Sequence, residues 1–148
     1  MDPPKADKSN ANANSDDGSC SYAGCTDTLA SNYDVNAVSD DGSCVYPCSY
    51  YGLNEVTLTM NDSWGDGWNG NTWTATGTST GTVYGPYTIT SGSSGVEIIC
   101  MEDDCYDVVV DGGSYQGEVS WTVSDAAGTI LASGGAPFSD NFGVNTAC

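Results

Sequence analysis

Apolar and polar residues alternate with a period of two through the last two thirds of the chain. In "EVTLTM", Val56, Leu58 and Met60 would share one face of a strand, and the intervening residues would share the other. Similar segments follow, separated by turns rich in glycine, serine and aspartate: "TWTATGTST", "TVYGPYTIT", "GVEIIC", "CYDVVVDG", "GEVSWTVSD", "GTILASG" and "NFGVNTAC". The pattern predicts an all-β domain, an antiparallel β-sandwich or jelly roll of about eight strands.

The first third of the chain is a short acidic repeat. "KSNANANSDDGSC" at 8–20 aligns with "NYDVNAVSDDGSC" at 32–44. The second copy starts at "GCTDTLASNYD" and is complete, whereas the first is only a tail, so we expect a piece of a longer array of repeats. We expect residues 1–19 to be a truncated repeat or flexible arm, 20–47 a disulfide-closed, loop-rich repeat, and 48–148 the sandwich.

The charge balance excludes several classes of function. The chain carries 20 acidic residues, two lysines, no arginine and no histidine, for a formal net charge of -18. Such a surface repels nucleic acids and anionic membranes, and no apolar run is long enough for insertion into a membrane. An apolar fraction of 39 % nevertheless indicates a packed core rather than disorder.

The same composition argues against catalysis. Without histidine, the usual Ser-His-Asp and Cys-His nucleophile pairs are excluded. A glycosidase using two carboxylates, such as Glu97 and Glu118, is the alternative, but nothing in the sequence shows a cleft that holds them. We therefore expect that the protein is not an enzyme.

Seven cysteines in a chain of this length indicate disulfides formed in an oxidising compartment. A zinc site is the alternative, but the sequence has neither a C-x-x-C pair nor a histidine. We predict three disulfides that close the complete repeat, a short loop and the whole sandwich, respectively: Cys25–Cys44, Cys100–Cys105 and Cys48–Cys148. Cys20 is then unpaired or bonded to another molecule. The expected location is extracellular, either secreted or on a cell surface.

The complete repeat carries side-chain oxygens at a spacing that suits a hard cation. They belong to Asp34, Asn36, Asp40 and Asp41, and a turn glycine follows. Because Ca²⁺ takes about six to eight oxygen ligands, we predict calcium binding here, although the spacing differs from that of an EF-hand. The alternative is an Asx-rich turn closed by a disulfide.

"DSWGDGWNG" at 62–70 follows directly on the first predicted strand and carries a second candidate calcium site. Its glycines allow positive φ and tight wrapping of the backbone. The expected ligands are side-chain oxygens of this loop and of a separate acidic loop: Asn61, Asp62, Asp66, Asn69, Asp103 and Asp104. A plain turn between strands is the alternative.

Trp64, Trp68 and Trp73 allow a further interpretation of this stretch. Exposed aromatic rings beside a polar loop are typical of a sugar-binding surface, and such a surface could coexist with calcium. The alternative is that the tryptophans belong to the core. The expected partners are therefore calcium and surface glycans.

"GCTDTLASNYDVNAVSDDGSCVYPC" resembles the acidic GCTD…DDGSC repeats of secreted and cell-surface proteins, many from marine bacteria and unicellular algae. "VTLTMNDSWGDGWNGNTW" resembles a domain that recurs beside those repeats. The resemblance implies a secreted β-sandwich module of a larger surface protein and supplies no catalytic residues. We expect a calcium-binding module for adhesion or ligand binding. The alternative is a structural subunit of an extracellular filament or appendage that assembles with copies of itself through edge strands.

Overall fold

The computed structural model describes residues 22–148, and the chain divides into two compact units after Tyr50. This boundary lies close to the one predicted between residues 47 and 48. The predicted arm at 1–19 and Cys20 lie outside the described residues. Each unit is considered by itself below.

The acidic repeat is ordered by hydrogen bonds and a disulfide. Two short strands, β1 (Ala23–Gly24) and β2 (Ser39–Asp40), pair in parallel. The predicted Cys25–Cys44 disulfide is confirmed. Asn32 ties the middle of the repeat to its C-terminal end, because its amide donates to the carbonyl of Ser43 and accepts from the backbone N–H of Val45, both at 2.7 Å.

The second unit is an antiparallel β-sandwich, which confirms the predicted fold class. The described residues of this unit form eight strands: β3 (Asn54–Asp62), β4 (Thr72–Gly77), β5 (Val83–Tyr87), β6 (Ser94–Met101), β7 (Asp104–Asp111), β8 (Val119–Asp125), β9 (Ile130–Gly134) and β10 (Phe138–Val144). In both units together, the described residues form two 3₁₀ helices, Cys48–Tyr51 and Gln116–Glu118. None of the helices in the described part of the chain is long and apolar enough to cross a membrane.

The strand order determines which loops meet. One sheet has the order β10-β7-β4-β5 and the other the order β6-β3-β8-β9. Because Asp62 lies opposite Val119 in the β3–β8 pair, the β7–β8 connection meets the loop that follows β3. Because Asn54 lies opposite Met101 in the β3–β6 pair, the β6–β7 connection lies at the other end of the sandwich.

Alternation along the strands builds the core between the two sheets. On β3 the side chains of Val56, Leu58 and Met60 are fully buried, as the sequence predicted. Trp73 of β4 packs against Trp121 of β8 across the two sheets, with ring centroids 6.2 Å apart in a T-shaped arrangement. Edge-to-face packing of this kind is favourable for aromatic rings, so the two tryptophans join the sheets at the centre of the core.

Two of the predicted disulfides are wrong, because the structure joins Cys105 to Cys148. Cys105 lies opposite Gly143 on β10, and the chain beyond this strand brings the Cα of Cys148 to 5.3 Å from that of Cys105. The predicted bonds Cys100–Cys105 and Cys48–Cys148 are therefore excluded. The Cys100–Cys105 prediction treated β6 and β7 as neighbours, but they belong to different sheets. Cys48 and Cys100 each take part in a disulfide.

Candidate metal centre and adjoining cavity

Asp62 organises the loop that carries the "DSWGDGWNG" motif. It occupies the last, inward-facing position of β3, and its side chain is only 3 % exposed. Oδ2 accepts backbone N–H bonds from Gly65, Asp66 and Gly67 at 2.9, 2.8 and 2.9 Å. Oδ1 accepts one longer bond, at 3.4 Å, from the N–H of Trp64. The loop therefore wraps around this carboxylate.

Gly67 is required where the loop packs against the segment before β6. Its φ is +90°, and a Cβ at this position would lie 2.7 Å from the carbonyl oxygen of Ile89. The backbone N–H of Gly67 donates to the carbonyl of Gly92 at 3.1 Å, and that of Trp68 donates to Ile89 at 2.8 Å. Only glycine combines this backbone conformation with so close an approach.

Glu118 joins the loop from the β7–β8 connection. Its backbone carbonyl accepts the N–H of Ser63 at 3.1 Å, next to the Asp62–Val119 pair of the β3–β8 ladder. One carboxylate oxygen from each of Asp62, Asp66 and Glu118 lies within 4.8 Å of the other two. Glu118 is not among the metal ligands predicted from the sequence, because only the strand pairing brings it to this loop.

The three carboxylates have unequal electrostatic surroundings. Burial acts to raise the pKa of Asp62, but hydrogen bonds from the backbone N–H groups of Asp66 and Trp64 outweigh it and lower the pKa. Burial raises the pKa of Glu118, and the charges of Asp66 and Asp62 raise it further. Oε2 of Glu118 is buried and has no hydrogen-bond partner among the described residues. Because an unpartnered carboxylate oxygen near two like charges is unfavourable, a cation at this position would relieve the cluster.

The donor set fits Ca²⁺. The ion binds oxygen at about 2.3–2.6 Å, so two of its ligand atoms lie at most about 5.2 Å apart, and the 4.8 Å limit of the cluster meets this condition. Oδ1 of Asp62 accepts, from the described residues, one long hydrogen bond, that of Trp64, and therefore keeps a lone pair for a cation. The amide nitrogen of Asn69 faces Asp66 at 3.4 Å. The same nitrogen donates to the carbonyl of Gly67 at 3.3 Å, so the amide oxygen of Asn69 reaches the site only if both of these hydrogen bonds are given up.

Asp103 and Asp104 are not brought to this site. Asp103 accepts a hydrogen bond from Asn54 at 2.6 Å, at the start of β3, whereas Asp62 ends that strand. Eight residue steps of about 3.3 Å place the two ends roughly 26 Å apart. The prediction that Asp103 and Asp104 add ligands to the motif is therefore wrong, because the β6–β7 connection lies at the opposite end of the sandwich.

Asp104 has a structural role at that end. Its buried carboxylate accepts the backbone N–H of Ser79 at 3.1 Å, and both the backbone N–H and the hydroxyl of Thr80 at 2.9 Å. Hydrogen bonding by the backbone of Thr80 is the main reason why the pKa of Asp104 lies well below its ordinary value. The residue therefore holds the β4–β5 turn.

The acids of the repeat do not converge. Within the part of the chain that the structure describes, the cluster at Asp62 is the only group of three acidic side chains at metal-binding separation. In the repeat, Asp34, Asp40 and Asp41 each accept, at 2.9 Å, a backbone N–H from two residues further on, namely those of Asn36, Gly42 and Ser43. This is the Asx-turn arrangement that the sequence offered as the alternative to calcium.

Only one of the tryptophans predicted to bind a ligand is accessible. Trp68 and Trp73 are fully buried, so the prediction that they contact a ligand is wrong. The indole N–H of Trp68 donates to the carbonyl of Asn61 at 2.9 Å, which ties the ring beneath the loop. Trp64 is 77 % exposed. It lines a shallow cavity of about 360 Å³ together with Asp66, Tyr115 and Glu118.

Asn71 connects the two loops that form this end of the sandwich, a role that the sequence did not reveal. Its side chain is fully buried, and its amide nitrogen donates to the carbonyls of Trp68 and Ser114, both at 2.8 Å. Its amide oxygen accepts from the N–H of Gly113 and from the side chain of Gln116 at 3.0 and 3.1 Å. Asn71 thus ties the loop that carries Asp66 to the connection that carries Glu118.

No protein-family model matches this chain, and neither a curated protein nor a solved structure matches it significantly. The function is therefore inferred from the geometry of the site.

Proposed function

We propose that the protein is an extracellular, disulfide-stabilised module that binds Ca²⁺ through Asp62, Asp66 and Glu118. It uses this end of the sandwich for adhesion or ligand binding. The observation that supports this function is the convergence of three carboxylates, one of which, that of Glu118, has a buried oxygen with no hydrogen-bond partner among the described residues. In the absence of histidine, the ligands are all oxygens, as a hard cation prefers.

Calcium suits this site better than magnesium does. Mg²⁺ demands nearly ideal octahedral geometry and retains its water, whereas Ca²⁺ accepts irregular sets of carboxylates, carbonyls and waters. The loop backbone holds Asp62, and the β7–β8 connection holds Glu118. The fold therefore fixes the angles between these ligands, and they need not be the right angles of an octahedron. Extracellular modules bind calcium with dissociation constants of about 10⁻⁴–10⁻³ M, and the disulfides support an extracellular location.

Thermal unfolding of the full chain, after chelation and again with added Ca²⁺, tests this function. An ion that binds only the folded state stabilises it, by about 2.7 kcal/mol at one hundred times the dissociation constant. We expect Ca²⁺ to raise the Tm of the wild type and of Asp107→Asn, a matched exposed aspartate on β7. We expect little or no rise in Asp66→Asn. If Ca²⁺ neither shifts the Tm nor releases heat in the wild type, the proposed function is wrong.

A second function, subunit of an extracellular filament, is favoured by the edges of the sheets. Apolar side chains are exposed on three edge strands: Val83 of β5 (56 %), Val96 and Ile98 of β6 (59 % each) and Ile130 of β9 (64 %). Soluble β-proteins usually protect such edges with charges. Negative-stain images and sedimentation of the full chain test this function: fibres that Ile98→Lys abolishes would support it, whereas monodisperse particles at high concentration would exclude it.

A further inference from the structure

Two exposed aromatic rings border the cavity beside the carboxylates. Trp64 is 77 % exposed and Tyr115 is 68 % exposed, and both line the cavity with Asp66 and Glu118. Tryptophan is highly buried on average in folded proteins, as Trp68 of the same motif is here. An exposed indole beside a concave, partly polar surface therefore indicates contact with a ligand.

The backbone that carries Tyr115 is held in place by hydrogen bonds to neighbouring segments. Tyr115 has φ 52° and ψ 43°, in the left-handed region that residues other than glycine seldom adopt. Its carbonyl accepts the N–H of Glu118 at 3.0 Å, and the preceding residue, Ser114, donates its N–H to the carbonyl of Asn69 at 3.0 Å. The segment is thus fixed between the motif loop and β8, which favours a preorganised site.

We propose that this cavity binds a neutral terminal sugar of a glycan. The face of the ring packs on Trp64 and Tyr115, and two adjacent hydroxyls complete the coordination of Ca²⁺. The inference rests on the proposed function, because the hydroxyl contacts require the ion. Sugar rings combine an apolar C–H face with hydroxyl oxygens. Those oxygens are ligands of the kind that Ca²⁺ takes in place of water.

Size and charge define the class of sugar. A cavity of about 360 Å³ lies at the lower end of the range for small-ligand sites, so it suits one or two sugar residues rather than a long chain. The formal net charge of -18 of the whole chain opposes the binding of sulfated or carboxylated sugars. The structure therefore favours neutral glycans.

An array of neutral and sulfated oligosaccharides, probed with the full chain in millimolar Ca²⁺ and in chelator, tests this inference. We expect binding to neutral glycans only, and only with Ca²⁺. Trp64→Ala and Tyr115→Ala should each weaken glycan binding by about tenfold or more, with Ca²⁺ affinity unchanged by calorimetry. Tyr33→Ala, which removes a 42 % exposed ring from the repeat, serves as the matched control.

The outcomes separate this inference from the proposed function. Calcium binding by the wild type without glycan binding, or glycan binding that survives in chelator or in Trp64→Ala, would overturn the sugar site alone. Failure of the wild type to bind Ca²⁺ would overturn both. Loss of glycan and calcium binding together in Asp66→Asn, with an unchanged fold by circular dichroism, would support both.

Discussion

The acidic repeat and the sandwich contain similar runs of aspartate and glycine, yet their carboxylates have different surroundings. In the repeat, Asp40 and Asp41 each accept a backbone N–H two residues away. In the sandwich, Asp62 also accepts local N–H groups, but strand pairing adds Glu118 from a distant part of the chain. Local sequence is sufficient to form an Asx turn, whereas a cluster of three carboxylates needs the tertiary fold.

The two regions also differ in what stabilises them. The sandwich buries a continuous core that includes Trp68, Trp73 and Trp121. Among the described residues before Pro47, the buried apolar side chains are Cys25 and Ala30. Since so small a segment cannot bury a core, we infer that the repeat depends on its disulfide and the sandwich on packing.

The largest expected effect distinguishes two tryptophans of one motif. Trp68 is fully buried and Trp64 is 77 % exposed. Trp68→Ala removes core packing and should lower the free energy of unfolding by about 3–5 kcal/mol, whereas Trp64→Ala should change it by less than about 0.5 kcal/mol. Urea unfolding followed by circular dichroism measures both. Equal effects would contradict the assignment of one ring to the core and the other to the cavity.

The next effect concerns the repeat. Joint substitution of Cys25→Ser and Cys44→Ser removes a bond that closes a 19-residue separation, worth about 3 kcal/mol. We expect the amide resonances of the repeat to lose their dispersion in NMR spectra, with those of the sandwich unchanged. In the matched pair Cys105→Ser and Cys148→Ser, the sandwich should remain folded but lose about 4 kcal/mol of stability. If the repeat stays ordered without the Cys25–Cys44 disulfide, the inference that the repeat depends on this bond is wrong.

A smaller effect depends on pH and arises at Asp104. Because its folded pKa lies below the ordinary value of about 3.9, the ionised group contributes stability that is present above pH ~4 and is lost as the pH falls further. The wild type should therefore lose more stability between pH 7 and pH 3 than Asp104→Asn does. Urea midpoints at the two pH values measure this difference, with Asp107→Asn as the control. Parallel losses in all three proteins would exclude a special role for Asp104.

The strands and the repeat could be predicted from the sequence because each gives a pattern among residues that are close together in the chain. Alternation placed Val56, Leu58 and Met60 in the core, and the repeat unit gave the Cys25–Cys44 bond. The Cys105–Cys148 bond and the position of Glu118 beside Asp62 both depend on which strands pair in the sheets. The alternation of apolar and polar residues does not indicate which strands pair. The burial of Trp68 could not be predicted either, because its loop has no alternation of apolar and polar residues that would distinguish buried from exposed positions.

The smallest expected effect is that of Asp40→Asn in the repeat, which should leave calcium binding unchanged. Asp40→Asn retains an oxygen that accepts the N–H of Gly42, so stability should change by less than about 0.5 kcal/mol. The heat of calcium binding, measured by titration calorimetry, should equal that of the wild type. Loss of a calcium-binding heat in Asp40→Asn would show that the repeat holds an ion after all.

The most direct test of the calcium site is a crystal structure of the full chain grown with Ca²⁺, using anomalous scattering to locate the ion. We expect an anomalous peak at about 2.3–2.6 Å from oxygens of Asp62, Asp66 and Glu118, and no peak in crystals of Glu118→Gln. A peak among Asp34, Asp40 and Asp41 instead, or an empty cluster in millimolar Ca²⁺, would contradict the assignment of the metal centre to the sandwich.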